Sequence, residues 1–407
     1  MKWSIYKKPV VSTDPGKIEE ILTRGVEDVF VKELLKKRLM SGKELRVKLG
    51  FDPTGSKIHI GRAIALRKLK AFQDLGHKVV FIVGDFTAQI GDPSDKLEKR
   101  PMLTSAKVME NLKDYKRQIG KIIDLSRAEF HFNSRWLSKL TFKETCELSE
   151  SFTVQQMLAR RNFKDRFDQG QEISLREFLY PLMQGYDSVQ VKADIEIGGF
   201  DQLFNLKAGR VIQKHYGQTE QDVLTIQMLE GTDGRKMSTS WGNVINIIDE
   251  PFDMYGKIMS MKDELISKYF LLATDASLDE IKEVENSLKA GASPRDIKMR
   301  LARTIVSLYH GDEAGKNAEA EFVRVHQEKQ VPEKMDEIRV SVGAVLGDVL
   351  VENKIVNSKN EWRRLIQQNG VHSTDGEVVI TDDKFSVTQD TTIRIGKRKF
   401  VKIICKK

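Results

Sequence analysis

Residues 45–83 read LRVKLGFDPTGSKIHIGRAIALRKLKAFQDLGHKVVFIV, and this stretch decides the fold. Residues 45–51 alternate in polarity like a β-strand, and Asp52-Pro-Thr-Gly55 ends that strand. From Ile60 the apolar residues recur at close to the helical period, and Gly76 offers a C-terminal cap. Residues 79–83 are continuously apolar, which is typical of a strand buried on both faces. This order predicts a βαβ unit, and hence a parallel sheet with a right-handed crossover.

The same alternation of strand and helix returns in the second half of the chain. Residues 193–198 and 222–229 have strand patterns, and residues 201–216 between them have a helical pattern. A stretch rich in Leu, Phe and Met, at about residues 100–190, predicts a helical insertion between the two halves. We therefore expect an α/β fold with a Rossmann-like parallel sheet, whose ligand crevice lies at the carboxyl ends of the strands.

The remaining sequence predicts two further domains. We expect a sheet-containing domain over residues 1–232. Over residues 233–330 we expect a polar loop followed by a helical domain, because amphipathic stretches follow one another from about residue 250. Residues 331–339 are charged and contain proline, so they predict a linker. Residues 340–407 combine two short helical patterns with three strand patterns, which predicts a small α+β domain.

Composition restricts the classes of function. The 407 residues include 67 Lys or Arg and 59 Asp or Glu, a net charge of +8. Residues 340–407 hold twelve basic and eight acidic residues, which is +4, and this excess suggests a polyanionic partner. Without eighteen consecutive apolar residues or an apolar segment after Met1, neither a membrane span nor a secretory signal is expected. Two cysteines, Cys146 and Cys405, give no disulfide framework and point to a reducing, cytoplasmic location, and we expect no protein-ligated metal.

The segment His59-Ile-Gly-Arg62 lies where the first strand turns into the helix. A helix N-terminus presents free N–H groups and attracts phosphate. Thr54 and His59 would add side-chain donors, and Gly61 would let a flat base or ribose approach the backbone. Taken alone, the pattern is more typical of an ordinary strand-to-helix turn, with His59 solvated or capping the helix.

Two other segments offer cations for phosphate. Lys96 and Arg100 are four residues apart and would point the same way on a helix, although such a run is also typical of a solvated face. Lys236-Met-Ser-Thr-Ser240 forms a polar loop whose lysine could close on a pyrophosphate leaving group. Gly198-Gly-Phe-Asp201-Gln202 would allow a ligand close to the backbone, with Asp201 accepting from ribose hydroxyls.

Three polar residues share one face of a predicted helix. Tyr180, Gln184 and Asp187 fall at positions i, i+4 and i+7. On an otherwise apolar face they would be costly to bury unless they bind something polar, such as an ammonium group and a phenolic hydroxyl. The alternative is a polar stripe that faces solvent.

In their order and spacing, these motifs resemble those of the bacterial tyrosyl-tRNA synthetases, which are class I aminoacyl-tRNA synthetases. The resemblance covers essentially the whole chain and includes Ile90-Gly-Asp-Pro-Ser94. The C-terminal region resembles a small RNA-binding domain shared with a ribosomal protein. The resemblance implies ATP-dependent ligation of L-tyrosine to tRNA(Tyr) through a tyrosyl-adenylate, with Mg²⁺ accompanying the ATP. It also implies a homodimer paired through the insertion.

The resemblance further implies roles for individual positions. Asp92, Tyr180 and Gln184 would hold the substrate ammonium, Asp187 its phenolic hydroxyl, and Gln202 would lie beside its carboxylate. The triphosphate would contact Thr54, His59, Lys96, Arg100 and Lys236. The remainder of the ATP site would comprise Asp52, Gly61, Arg62, Asp201, Met237 and Ser238.

The chain departs from the family pattern at several positions. Arg62 replaces the second histidine of the first motif, and Thr239 replaces the second lysine of the loop. We hypothesise that Arg62 or Arg235 supplies the missing cation. Lys48-Leu49 replaces a Tyr-Cys pair found in some members, which leaves a second partner of the phenol unassigned. The rival function is a non-catalytic RNA-binding relative or a tRNA-independent adenylating enzyme.

Overall fold

The computed structural model describes residues 10–94, 102–238, 241–326, 335–374, 378–396 and 399–406. It divides the chain into two compact units. The first comprises residues 1–249 and 261–301, and the second comprises residues 250–260 and 302–407.

The first unit is organised around a six-stranded sheet. Its strands are β1 (Val26–Phe30), β2 (Arg46–Phe51), β3 (Lys78–Val83), β4 (Ala128–Phe132), β5 (Ile195–Gly199) and β6 (Asp222–Ile226). They are arranged in the order β1-β6-β5-β2-β3-β4, and β1 is antiparallel to β6 while the other pairs are parallel. The chain winds outward through β3 and β4 on one side of β2, and through β5 and β6 on the other. The topological switch point, where open α/β sheets bind ligands, therefore lies between β2 and β5.

Helices flank these strands and form most of the insertion. Up to β6 they are α1 (Pro15–Thr23), α2 (Lys32–Met40), α3 (Ile60–Asp74), α4 (Thr87–Ile90), α5 (Ser105–Leu112), α6 (Tyr115–Ile119), α7 (Ser134–Leu137), α8 (Phe142–Ser149), α9 (Val154–Leu158), α10 (Arg161–Asp168), α11 (Leu175–Val191) and α12 (Leu203–His215). The expected βαβ unit is confirmed as β2, α3 and β3. Val47, Val79 and Ile82 are fully buried there, and burying each such side chain contributes about 1.5–3 kcal/mol.

Two strands of the sheet were not expected from the sequence. β4 lies inside the stretch predicted as a helical insertion and pairs with β3, from Val79 opposite Ala128 to Val83 opposite Phe132. It is short and only half-buried, since it forms one edge of the sheet, so its apolar pattern is weak. β1 forms the other edge. The strand expected over residues 222–229 ends at Ile226.

Helices follow the sheet from residue 251 to residue 326, as the amphipathic stretches predict. Its helices are α13 (Pro251–Met259), α14 (Ile266–Ala273), α15 (Leu278–Lys289), α16 (Pro294–His310) and α17 (Asp312–His326). Residues 327–334, which include the first four residues of the predicted linker and its proline, lie outside the described residues.

The C-terminal part is a small α+β module with its own apolar core. Its elements are β7 (Asp336–Ser341), β8 (Ala344–Val345), α18 (Leu346–Glu352), α19 (Lys359–Gln367), β9 (Val371–Ser373), β10 (Val378–Val379), β11 (Ser386–Val387), β12 (Thr391–Ile395) and β13 (Lys399–Lys406). Five strands form a sheet in the order β10-β9-β12-β13-β7, and β8 pairs with β11. Leu346, Val371 and Ile393 are fully buried in this core. β7 begins within the stretch predicted as a linker.

None of the helices among the described residues is long and apolar enough to cross a membrane. The same residues contain no group of three or more His, Cys, Asp or Glu side chains arranged to hold a metal ion.

Candidate active site

A cleft of about 320 Å³ opens at the carboxyl ends of the parallel strands, at the switch point between β2 and β5. Most of the predicted site residues meet in it: Asp52, Thr54, His59, Gly61, Arg62, Asp92, Tyr180, Gln184, Asp187, Asp201, Gln202, Lys236 and Met237. Ser238 is described but does not line the cleft, and its N–H donates to Asn243 Oδ1 at 2.8 Å. Lys96, Arg100 and Thr239 lie outside the described residues.

The first motif forms the N-terminus of α3. His59 is the N-cap, and its Nδ1 accepts from the Arg62 N–H at 3.3 Å. Burial, with a smaller contribution from Arg62, lowers the pKa of His59 to about 3. The imidazole is therefore neutral at physiological pH, and its Nε2–H can donate to a ligand in the cleft.

The two signature motifs are His59-Ile-Gly-Arg62 and the segment that begins at Lys236. The first motif contacts the described residues of the second and the chain that follows it, although β3 to β6 lie between them in sequence. Ile60 donates its N–H to the Ile245 carbonyl at 2.8 Å, and Ile247 donates to the Ile58 carbonyl at 2.9 Å. A Cβ at Gly61 would lie 3.1 Å from Met237 Sδ. A side chain at position 61 would thus fill the space between the motifs, which explains the glycine.

One buried amide, that of Asn243, anchors the backbone of the second motif. Asn243 Nδ2 donates to the Lys236 carbonyl at 3.1 Å and to Asp233 Oδ1 at 2.8 Å. Lys236 itself is about 42% exposed, and its Nζ lies 3.4 Å from Asp201 Oδ2. The backbone of the motif is therefore anchored while its ammonium group extends along the cleft.

Only one of the two cations proposed to replace the missing lysine lies in the cleft. Arg62 donates to Thr54 Oγ1 at 2.9 Å and to the Tyr115 hydroxyl at 3.3 Å, and its guanidinium lies 5.1 Å from the centre of the Phe51 ring. Arg235 instead pairs with Asp233 at 2.6 Å and stacks on Trp241, away from the cleft lining.

The polar stripe of α11 faces the cleft and not solvent. Tyr180 is 5% exposed and Asp187 is 3% exposed. The Tyr180 hydroxyl donates to Asp52 Oδ2 at 2.8 Å. Asp187 accepts from Trp136 Nε1 at 2.7 Å and from Asn133 Nδ2 at 3.2 Å. The solvent-facing alternative for this helix is therefore wrong.

Burial sets the protonation of these groups. It raises the pKa of Asp187 to about 6, although the nearby Lys48 ammonium lowers it in part. Burial also raises the pKa of Asp52 to about 7, although hydrogen bonds from Thr87 and Tyr180 lower it in part. It holds the pKa of Tyr180 well above 10. At physiological pH Tyr180 is a hydrogen-bond donor and Asp187 is an ionised acceptor.

A second group of acceptors lies on the side of the cleft formed by α12 and the segment after α4. Gln202 Nε2 donates to Asp92 Oδ2 at 2.6 Å. Asn205 Nδ2 donates to Gln184 Oε1 at 3.1 Å and to Gln202 Oε1 at 3.2 Å. These contacts gather carboxylate and amide oxygens in one place, which is the chemistry that a substrate ammonium requires.

Several cleft residues were missed in the sequence. Asn133, which lines the cleft, and Trp136, which donates to Asp187 from behind it, follow β4 at its carboxyl end, so they could not be placed without that strand. Gly84 follows β3, and a Cβ there would lie 1.9 Å from Asp52 Oδ1. The continuous apolar run of β3 was the available signal for Gly84, because residues that follow such a strand border the crevice.

Residues 40–327 match the family described as "tRNA synthetases class I (W and Y)". A tyrosine--tRNA ligase from Thermotoga maritima is 48% identical over 393 residues, covering 96% of this chain and 98% of that protein. A tyrosine--tRNA ligase from Carboxydothermus hydrogenoformans is 46% identical over 403 residues, covering 95% and 98%.

Solved structures agree on the fold. A C-terminally truncated mitochondrial tyrosyl-tRNA synthetase from Aspergillus nidulans has a TM-score of 0.64 at 22% identity, covering 76% of this chain and 94% of that chain. Tyrosyl-tRNA synthetase from Archaeoglobus fulgidus, complexed with L-tyrosine, has a TM-score of 0.60 at 21% identity, covering 75% and 100%. With its switch-point cleft and two joined motifs, the chain belongs to the tryptophan and tyrosine family of class I tRNA synthetases.

Proposed function

We propose that this protein ligates L-tyrosine to tRNA(Tyr), using ATP to form a tyrosyl-adenylate and releasing AMP and pyrophosphate. The observation that carries the proposal is the buried stripe of α11, which turns Tyr180, Gln184 and Asp187 into the cleft beside the two signature motifs. The relatives named tyrosine--tRNA ligase, which this chain matches over 98% of their length, support the same substrate.

The amino acid would lie along α11. Asp187, held by Trp136 and Asn133, would accept from the phenolic hydroxyl. Phenylalanine would leave this buried carboxylate without that partner, which is the physical basis for rejecting it. At the other end, Asp92, Tyr180 and Gln184 would surround the ammonium, and Gln202 would lie beside the carboxylate.

The nucleotide would lie between the two motifs. Thr54, His59 and Lys236, together with Lys96 and Arg100, would contact the triphosphate, and Arg62 would supply the charge absent at Thr239. The rest of ATP would be held by Asp52, Gly61, Asp201 and Met237, which line the cleft, whereas Ser238 does not line it. Mg²⁺ binds phosphate oxygens and keeps most of its waters, so it would arrive as part of the ATP substrate.

This arrangement requires no general base or covalent nucleophile. A carboxylate oxygen of tyrosine would attack the α-phosphorus in line, and the bond from that phosphorus to the pyrophosphate would break. A terminal ribose hydroxyl of the tRNA would then attack the adenylate carbonyl and displace AMP, with the hydroxyl proton passing to a phosphate oxygen of the departing AMP. Positioning and fixed charge would supply the rate enhancement, with Lys236 acting on charge that develops in the leaving group.

The domain assignment remains part of the proposal. Residues 1–232 would catalyse both steps together with the Lys236 loop, which begins residues 233–330. The helices that follow this loop would read the anticodon region, and residues 340–407, after a linker at 331–339, would grip the tRNA. Two copies would pair through the insertion at about residues 100–190. The excess of basic residues in the C-terminal module supports RNA as its partner, and we expect the protein to act in the cytoplasm, where tRNA is charged.

Tyrosine-dependent exchange of pyrophosphate into ATP tests the proposal. We expect exchange by the full chain, and a loss of about 100-fold or more in Lys236→Ala, because one transition-state contact is removed. Exchange no higher than that of Lys236→Ala would favour the rival non-catalytic RNA-binding protein. Exchange without subsequent charging of tRNA would favour the rival tRNA-independent adenylating enzyme.

A further inference from the structure

The Gln184 side-chain amide is held at both of its ends. Its Oε1 accepts from Asn205 Nδ2 at 3.1 Å, and its Nε2 donates to Glu196 Oε1 at 3.1 Å. The two ends of an amide have nearly the same shape but opposite hydrogen-bonding character. Which end faces the ligand therefore depends on the groups behind it.

Glu196 determines that choice. It lies on β5, is fully buried, and as a carboxylate offers only acceptors. The end of the Gln184 side chain that faces Glu196 must therefore be its NH₂ group, and the side-chain oxygen, Oε1, is turned to the opposite side. A glutamine at position 196 would remove this constraint, because its amide can both donate and accept.

Lys48 makes the buried carboxylate tolerable. Its Nζ lies 2.9 Å from Glu196 Oε1, 2.9 Å from the main-chain carbonyl oxygen of Gln184 and 2.8 Å from Ser188 Oγ. The Lys48 and Glu196 side chains are both fully buried. The three ammonium hydrogens thus have three acceptors. Glu196 Oε2 accepts in turn from Ser188 Oγ at 3.1 Å and Gln221 Nε2 at 2.5 Å.

A buried ion pair is a poor way to gain stability, because desolvation offsets most of the attraction. Apolar residues of similar volume would serve the core under α11 as well or better. The ion pair is explained if it also orients a side chain in the cleft. Gln184 lines the cleft and donates to Glu196 from its Nε2, so it is the side chain that the pair can orient.

We infer that Glu196, whose negative charge is balanced by Lys48, is a positioning residue. It turns the side-chain oxygen of Gln184, Oε1, toward the ammonium group of the bound amino acid. The inference rests on the proposed function, since it takes tyrosine as the ligand and Gln184 as a contact of its ammonium. It also gives Lys48, one of the departures from the family pattern, a definite task.

The test compares two ligands that differ only in the ammonium. L-Tyrosine carries it and 3-(4-hydroxyphenyl)propionate lacks it, so the ratio of their dissociation constants isolates contacts to that group. The variants are Glu196→Gln, and Lys48→Met with Glu196→Leu, which replaces the pair by apolar side chains and keeps the core neutral. Binding is measured by titration calorimetry on the full-length protein.

We expect tyrosine to bind about tenfold or more weakly in the double variant, as for loss of a hydrogen bond to a charged group. The ratio of the two dissociation constants should change by that factor, because any effect of the pair on Asp187 reaches the phenol of both ligands alike. Glu196→Gln should give a smaller change in the ratio. A general weakening of the fold would reduce binding of both ligands together.

Glu177→Gln is the matched control. Glu177 lies on the same helix and forms another buried ion pair, 2.6 Å from Arg166, but does not line the cleft. Its variant should keep the ratio unchanged. A double variant that keeps the unaltered ratio would overturn the inference alone. An unaltered protein that neither binds tyrosine nor supports tyrosine-dependent exchange would overturn the proposed function, and the inference with it.

Discussion

Asp187 is the residue whose surroundings say most about substrate choice. It is buried on α11 and accepts from Trp136 and Asn133, which leaves its remaining acceptor positions toward the cleft. Burial alone would favour the neutral acid, and the Lys48 ammonium opposes this. The Lys48 ammonium therefore also helps to keep Asp187 an acceptor at physiological pH, whereas the Glu196 carboxylate acts in the opposite direction.

Tyrosine binding should weaken as the pH falls through about 6. The pKa of Asp187 in the folded protein is raised from 3.8 to about 6, so the carboxylate is ionised above this range and protonated below it. The protonated group carries its own hydrogen and accepts less well from the phenol. Dissociation constants for L-tyrosine measured from pH 5 to pH 8 check the expectation, with a change of about tenfold per pH unit as the upper limit.

The control for this prediction is Asp187→Asn, which cannot titrate. Asp52, whose pKa is about 7, also titrates in this range, and any dependence that it causes would persist in the variant. Identical pH profiles for the variant and the unaltered protein would contradict the role of Asp187.

At the scale of elements, the loop between β2 and α3 is fixed by two helices of the insertion. Asn111 on α5 donates to the Pro53 carbonyl at 2.8 Å. Gln118 on α6 accepts from the Ile58 N–H and donates to the Ser56 carbonyl, both at 2.8 Å. Both amides are buried. The insertion thus sets the position of Thr54 and of the N-terminus of α3.

Gln118→Ala should raise the KM for ATP about tenfold and leave the KM for tyrosine nearly unchanged. Loss of the two hydrogen bonds frees the loop that carries Thr54, while α11 is untouched, and each lost bond costs about 1 kcal/mol. Pyrophosphate exchange at varied ATP and varied tyrosine measures both constants.

Gln73→Ala is a closely matched control for the Gln118 variant. Gln73 is also buried and clamps a backbone segment from both sides, by donating to the Asp124 carbonyl at 2.9 Å and accepting from the Asp124 N–H at 3.0 Å. It lies away from the cleft. An equal rise in the KM for ATP in both variants would show that general destabilisation, and not the clamp, is responsible.

At the scale of the whole molecule, the C-terminal module has a separate apolar core, built from its own sheet and from α18 and α19. A truncation after His326 should therefore retain tyrosine-dependent pyrophosphate exchange and lose most tRNA charging. Full-length Lys236→Ala, measured alongside, should lose both activities. Parallel loss of exchange and charging in the truncated protein would contradict the assignment of the module to tRNA binding.

Much of this molecule is predictable because its signals are local. The spacing of apolar residues along residues 45–83 predicts β2, α3 and β3. The spacing of Tyr180, Gln184 and Asp187 places them on one face of a helix. β4 escapes prediction, since a short edge strand is half-buried and its apolar pattern depends on the neighbour with which it pairs. With β4 missing, Asn133 and Trp136 could not be brought to Asp187.

The sequence by itself determined the βαβ unit, the two signature motifs, the polar face of α11 and the family to which they belong. Only the tertiary structure decided that this face is buried in the cleft, that Arg62 and not Arg235 lies there, and that Lys48 reaches Glu196 beneath Gln184. The reason is physical. Periodicity records which side of an element is apolar, whereas a buried charge is fixed by partners that lie far away along the chain and are brought together by the sheet.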